Sequence, residues 1–360
     1  MVKIQEKQAA VVLPDLSPPL ISGALGRHLV RARLLFQVFR RVYAQHRSIL
    51  GSVQQMRALA AKNREHHQTG LMGKVAKVDG RYYWRLYSPG APSVAARKIF
   101  DYEIALASGK QPADHLRLLM VGITKKCPLQ CEHCYEWDNL NQREVLSRQD
   151  LVDIVQKFQQ SGTSILWFGG GEPMMRLDDM IHVLEQAEAT TDFWVVTSGY
   201  RLDEAAAARL KEAGLTGVVV SIDHHLPEQH NAFRHHPNAF AWAVQACENA
   251  RKAGLVTALS LCATREFTTE DNLRQYMEMA RRLGAAFVQL LEPKAVGHYA
   301  GRDVKLLPSQ LELLEKLFLE YNTSPAFRDY PIVDYIEFAY RRVGCMGRGA
   351  RKLYVDTNGN

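Results

Sequence analysis

The sequence predicts an α/β protein built on a parallel sheet, and three observations carry that reading. From residue 116 onward, short apolar runs alternate with amphipathic helical stretches, the texture of consecutive βα units. Polar and glycine residues collect at the ends of those apolar runs. Ahead of residue 116 the alternation is missing, and a basic helical stretch followed by a hairpin signal stands in its place.

The strand-like runs lie at 116–124, 164–168, 193–197, 218–222, 256–262 and 286–291, with helical stretches at 147–160, 178–189, 203–213, 238–253 and 269–283 between them. Ser147 is placed to cap the first of these helices, with Asp150 as a shorter stand-in for the usual glutamate three residues on. Six such units make either an open doubly wound sheet or a partial barrel. In both, ligands gather at the C-terminal ends of the strands.

Residues 1–110 read as a separate module, 111–305 as the α/β core and 306–360 as a C-terminal helix with a short extension. In the first module, Leu25, Leu29, Ala32, Phe36, Phe39, Tyr43, Leu50 and Val53 recur at helical spacing. Arg27, Arg31, Arg33, Arg40, Arg41 and Arg47 fall mostly off that stripe, which predicts a basic amphipathic helix or helix pair, with Gly51-Ser52 marking a break. The first reading is a stripe packed on the main domain. An acidic partner and a membrane surface are the alternatives, in that order. Asp79-Gly80, between runs at 74–78 and 81–87, predicts a tight hairpin, and a helix to about Ala107 follows.

Of 360 residues, 47% are hydrophobic and 23% charged, the proportions of an ordinary globular protein. No apolar run has the length of a membrane span and no secretory signal pattern opens the chain, so a cytoplasmic location is expected. The net charge of +7 is modest for this length, and no nucleic-acid partner is expected.

The chemistry concentrates at Cys127, Cys131 and Cys134, spaced C-x3-C-x2-C just after the first apolar run. The other cysteines, Cys247, Cys262 and Cys345, are scattered, and the first two read as packing thiols. A clustered, odd-numbered set suits a metal or iron–sulfur site better than a disulfide framework. Three thiolates on a four-iron cluster leave one iron open. A structural zinc site is the competing reading, but it needs a fourth ligand, commonly from a second loop.

The later strand ends supply the other candidates. The second runs into the segment Phe168-Gly169-Gly170-Gly171-Glu172-Pro173, and the third into Thr197-Ser198-Gly199. The fourth gives Ser221 and Asp223, and the sixth gives Gln289 and Glu292 as candidates for substrate contact. His224, His225, His230, His235 and His236 read as a solvated loop, with Arg234 among them a candidate carboxylate clamp.

The three-cysteine motif, with Gly170-Gly171-Glu172-Pro173 one βα unit downstream, resembles the radical S-adenosylmethionine (SAM) enzymes over residues 116–294. The resemblance implies a partial (β/α)6 TIM-like barrel, with a 4Fe–4S cluster held by Cys127, Cys131 and Cys134. It implies SAM at the open iron, cleaved reductively to methionine and a 5′-deoxyadenosyl radical that removes hydrogen from a substrate. It also implies SAM contacts at Gly169, Gly170, Gly171, Glu172, Pro173, Ser198, Ser221 and Asp223, although Ser198 stands where many members have asparagine. His133 and Tyr135 fall where members place a residue near the adenine. The segment 344–360, opening at Cys345, resembles the start of a SPASM or twitch auxiliary-cluster extension, short and incomplete. An auxiliary cluster is then expected only if the chain continues beyond Asn360. The implied partners are a low-potential electron donor and a substrate, which is a peptide if the chain is a maturase of ribosomally made peptides. The alternatives are a step in small-molecule, cofactor or lipid biosynthesis and, from a different class, a non-catalytic iron–sulfur or electron-transfer protein.

Overall fold

The structure, a computed structural model, describes residues 11–21, 23–67, 73–109, 116–344 and 352–360. The N-terminal part holds α1 (Ala24–His46), α2 (Ile49–His67), β1 (Ala76–Val78), β2 (Arg81–Tyr83) and α3 (Val94–Ala107). The helix pair is present, but its break falls at Arg47, whose backbone turns left-handed at φ 54°. Ser48 accepts the Gly51 N–H at 3.3 Å, as a helix-capping serine does, so Gly51-Ser52 lies inside the first turn of α2. The hairpin forms as expected, with both Asp79 and Gly80 at positive φ.

The side that α1 turns inward differs from the expected one. Val30, Leu34 and Val42 are buried, while Leu25, Leu29, Phe36 and Tyr43 of the expected core stripe face outward. Val30 and Leu34 pack with Val75, Ala91 and Ala96, beside Tyr82, Trp84 and Phe100. A fork from Arg41 to both oxygens of Asp101 on α3 fixes that rotation. Apolar periodicity located the helix but not the face that its neighbours bury.

The core runs β3 (Leu118–Thr124), α4 (Arg148–Gln160), β4 (Ile165–Gly170), α5 (Leu177–Gln186), β5 (Asp192–Thr197), α6 (Glu204–Glu212) and β6 (Leu215–Ser221). It continues through α7 (Pro227–Arg234), α8 (Ala239–Lys252), β7 (Val256–Cys262), α9 (Glu270–Arg282), β8 (Phe287–Leu291), α10 (Pro308–Thr323), β9 (Ile332–Tyr335), α11 (Ile336–Val343) and β10 (Lys352–Val355). All neighbouring strands pair parallel in the order β10-β3-β4-β5-β6-β7-β8-β9, a sheet curled into a half-barrel. The expected partial barrel is there, lengthened by two strands. Both additions are four residues long and mix apolar with charged side chains, too brief to show a pattern.

Side chains alternate across the sheet. Leu119, Val121, Leu166 and Phe168 point out and pack under the helices. Leu118, Ile165, Trp167, Trp194, Phe287 and Ile332 point in, near the strand N-termini, and meet Ala76, Tyr83 and Leu86 from the hairpin region. The hairpin thus stops one end of the barrel. Asp192 ties it down by accepting from Arg81 Nη1 and the Gly90 N–H, both at 2.9 Å, and Lys74 Nζ donates to the Tyr330 carbonyl at 2.7 Å.

The C-terminal segment adds an edge strand to the sheet. β10 lies parallel to β3, and residues 356–360 close a turn in which the Asp356 N–H donates to the Asn360 carbonyl at 3.1 Å. The candidate ligand Cys345 lies outside the described residues.

Candidate active site

The loop after β3 carries Cys127, Cys131 and Cys134, none of them in a disulfide. All three pack with Leu129, Ala239 and Trp242 in one small apolar group. Asn141, itself at positive φ, holds Cys127 from both sides: its Oδ1 accepts from the Cys127 N–H at 3.0 Å and its Nδ2 donates to the Cys127 carbonyl at 3.1 Å. From across the barrel mouth, the His298 N–H donates to the Cys134 carbonyl at 2.9 Å, and His298 Nδ1 lies 3.1 Å from the Cys131 carbonyl oxygen. The His298 ring stacks on Trp137 at 3.8 Å. Gly297, at φ 55°, makes this approach: a Cβ there would sit 2.2 Å from the Cys134 carbonyl oxygen.

Burial pushes the Cys127 thiol up to about 12 and the Cys134 thiol up to about 11. It raises Cys131 as well, but there Arg234 opposes the rise, with its Nη1 3.6 Å from the sulfur. Arg234 is a buried cation in turn held by Asp223, at 2.6 Å between Nη2 and Oδ2 and 2.7 Å from Nε. Asp223 accepts the Cys262 N–H at 3.2 Å, and its own N–H donates to His230 Nδ1 at 3.1 Å. This chain Cys131–Arg234–Asp223 links the loop after β3 to the end of β6.

The second wall is the glycine segment. Gly171 N–H donates to the Thr124 carbonyl at 2.7 Å, and Glu172 N–H to the Lys126 carbonyl at 2.8 Å. A Cβ on Gly170 would stand 2.6 Å from the Thr124 oxygen, and one on Gly171 2.4 Å from the Lys126 oxygen. These two glycines therefore let the β4 end lie flush against the start of the cysteine loop. Gly169 differs, for its nearest neighbour is the Tyr135 hydroxyl at 3.5 Å.

Three free thiols on one clamped loop, one facing a buried guanidinium, fit an iron–sulfur cluster. Among the described residues no group of three or more His, Cys, Asp or Glu side chains is arranged to hold a single metal ion. The buried His133 Nδ1 has no hydrogen-bond partner, so a polar ligand has something to meet there.

The family model described as the radical SAM superfamily matches residues 121–281, the stretch that holds both walls of this site. Over that stretch, just under half of its length, the chain is similar to the radical SAM superfamily. It is 26% identical over 239 residues to the PqqA peptide cyclase of Granulibacter bethesdensis, covering 65% of this chain and 63% of that protein. The fold is similar to that of Streptococcus suis SuiB bound to the precursor peptide SuiA, at a TM-score of 0.58 and 13% identity, covering 74% of this chain and 64% of that one. SuiB bound to S-adenosylmethionine gives 0.56 over the same shares. The chain thus spans just under two thirds of the length of these relatives.

Several of the residues expected from the strand ends face one another. Glu172 is buried and accepts from Thr197 Oγ1 at 2.7 Å, from Ser198 Oγ at 2.5 Å and from the Ser198 and Met174 N–H groups at 2.8 and 3.1 Å. It staples the β4 end to the β5 end and so engages Ser198. Burial raises its pKa and these donors hold the rise back. Pro173 opens a short 3-10 turn and is buried. Asp223 is committed to Arg234, while Ser221 is half-buried on the inner face of β6 beside Ser260 of β7.

Gln289 and Glu292 also have internal partners. Gln289 donates to the Tyr87 hydroxyl, and Glu292 accepts from Tyr335 at 2.7 Å and from Arg341. Within the histidine stretch only His230 lies in a helix, α7, where it is buried; His224 and His225 precede that helix, and His235 and His236 follow it. Cys247 and Cys262 are buried packing thiols as expected. Arg234 was expected to meet a ligand carboxylate and meets Asp223. Sequence reading missed Asn141, Gly297-His298 and Glu136. The last is buried and receives the Tyr354 and Thr357 hydroxyls from the C-terminal segment.

Proposed function

We propose that this chain is a radical SAM enzyme that acts on a peptide, as a maturase does. The observation that carries the catalytic part is the pair of abutting walls, the cysteine loop and the glycine segment, joined by backbone hydrogen bonds. Cys127, Cys131 and Cys134 would hold the cluster, and Gly169, Ser221 and the unpartnered His133 Nδ1 offer the space and polar groups for SAM. When bound, cluster and SAM supply reductive cleavage to methionine and a 5′-deoxyadenosyl radical, and the hydrogen removed comes from the substrate. The chain's own part is placement. Arg234 offsets negative charge at Cys131, and Asp223 keeps Arg234 in place. Asn141 and His298 fix the loop backbone, and the hairpin stop excludes water from the far end of the barrel. The peptide reading is supported by the relative that is a peptide cyclase. An auxiliary cluster would need ligands beyond Cys345.

The test is anaerobic reconstitution followed by reduction with SAM. Formation of 5′-deoxyadenosine by the wild type and its loss in Cys131→Ala is the expected result. A reconstituted cluster with no SAM cleavage would instead identify a non-catalytic iron–sulfur protein. For the substrate, co-expression with a library of short peptides should yield a mass change in a peptide only when Cys131 is intact. Turnover of a small molecule with no peptide changed would favour the biosynthetic alternative.

A further inference from the structure

Among the described residues, neither the packing nor the site uses the outward face of α1. Leu25, Leu29 and Phe36 are 74%, 62% and 61% exposed, and Ile49 and Leu50, at the start of α2, are 68% and 70% exposed. Side chains of this size are normally covered, and a contiguous set of them marks an interaction surface. The set stands on the side of α1 away from the buried Val30 and Leu34 and at the start of α2.

Charge narrows the partner further. Between Asp15 and Glu65 the sequence holds no Asp or Glu and nine Lys or Arg residues, more positive charge than the whole chain's net +7. Arg33 and Arg40 project beside the apolar face, a few tens of degrees around the helix from Leu29 and Phe36, and both are exposed. Apolar residues flanked by arginines on one helix face form the pattern of a helix that lies in a lipid interface. We propose that the α1 face and the α1–α2 tip dock on an anionic lipid bilayer, the apolar residues entering the acyl boundary and the arginines meeting phosphate headgroups. No helix of the described residues is long and apolar enough to cross a membrane, so the contact is peripheral.

The test is flotation of the purified full chain with vesicles of phosphatidylcholine alone or with added phosphatidylglycerol. Binding is expected only with the anionic vesicles, falling as salt is raised from about 0.1 M to about 0.5 M. Arg33→Gln with Arg40→Gln should weaken partitioning roughly fivefold per charge. Leu29→Glu with Phe36→Glu should abolish it, with the circular dichroism spectrum unchanged because both sites are exposed. Flotation that is equal on both vesicle types, or absent, would overturn the proposal. So would a concentration-dependent dimer that the Leu29→Glu and Phe36→Glu variant abolishes in the absence of vesicle binding, since the face would then belong to a second copy. Neither readout requires cluster or SAM.

Discussion

The two ends of the half-barrel solve different problems with the same strands. At the strand N-termini the inward residues are Leu118, Ile165, Trp167, Trp194 and Phe287, packed dry against the hairpin. At the C-termini the same faces present Ser221, Ser260 and Gln289, and the loops beyond carry cysteines, glycines and a buried ion pair. One end is held by area removed from water, the other by directional bonds that leave room for a ligand. Stability at the first end therefore tolerates changes in shape better than loss of volume. The second tolerates neither loss of a partner nor an added methyl group.

The largest effect expected is at the polar end. Arg234→Ala leaves Asp223 buried without its cation, and breaking such a pair costs about 3–5 kcal/mol. Urea denaturation should show that loss, and iron retention should fall with it because Cys131 loses its facing charge. Trp194→Ala at the dry end should cost a similar about 3–5 kcal/mol, but iron bound per folded molecule should stay at the wild-type level. If the two variants lost iron equally, the division of labour between the ends would be wrong.

A smaller change should discriminate more sharply. Gly171→Ala places a methyl 2.4 Å from the Lys126 oxygen, so the glycine segment must move off the cysteine loop. A stability loss of about 1–3 kcal/mol is expected, with iron content and SAM-dependent cleavage falling far more than the melting temperature. Unchanged activity would mean that the two walls need not touch.

The smallest effect belongs to Lys74, which burial lowers to about 7 where it bonds the carbonyls of Tyr330 and Pro331. The ordinary lysine value is 10.5, so between the two the unfolded chain carries a proton that the folded chain lacks. Stability should then rise with pH across that window. Melting temperatures from pH 7 to 10 should show the wild type gaining on Lys74→Met, and parallel curves would reject the depressed pKa.

Much of this architecture was legible in sequence. Five of the core helices and six strands follow from runs long enough to show their period, and the capping box at Ser147 and Asp150 formed as written. The cysteine spacing and the glycine segment were visible because their chemistry is local. What escaped detection depends on neighbours far apart in the chain. Arg234 gave no sign that it would lie between Asp223 and Cys131, and Gly297 looked like any turn glycine until Cys134 was placed against it. The outward stripe of α1 is the sharpest case, since the same spacing describes a face that packs and a face that waits for a partner.

The pairing of β10 with β3 also has a bearing on how the protein is made. β3 delivers the cysteine loop, yet the bonding groups along its outer edge are covered by a strand from far later in the chain. During synthesis the helices and βα units between them can fold while that edge is still bare. A nascent chain at that stage offers an unpaired strand beside the cysteine loop, the place where pairing with another chain would do most damage.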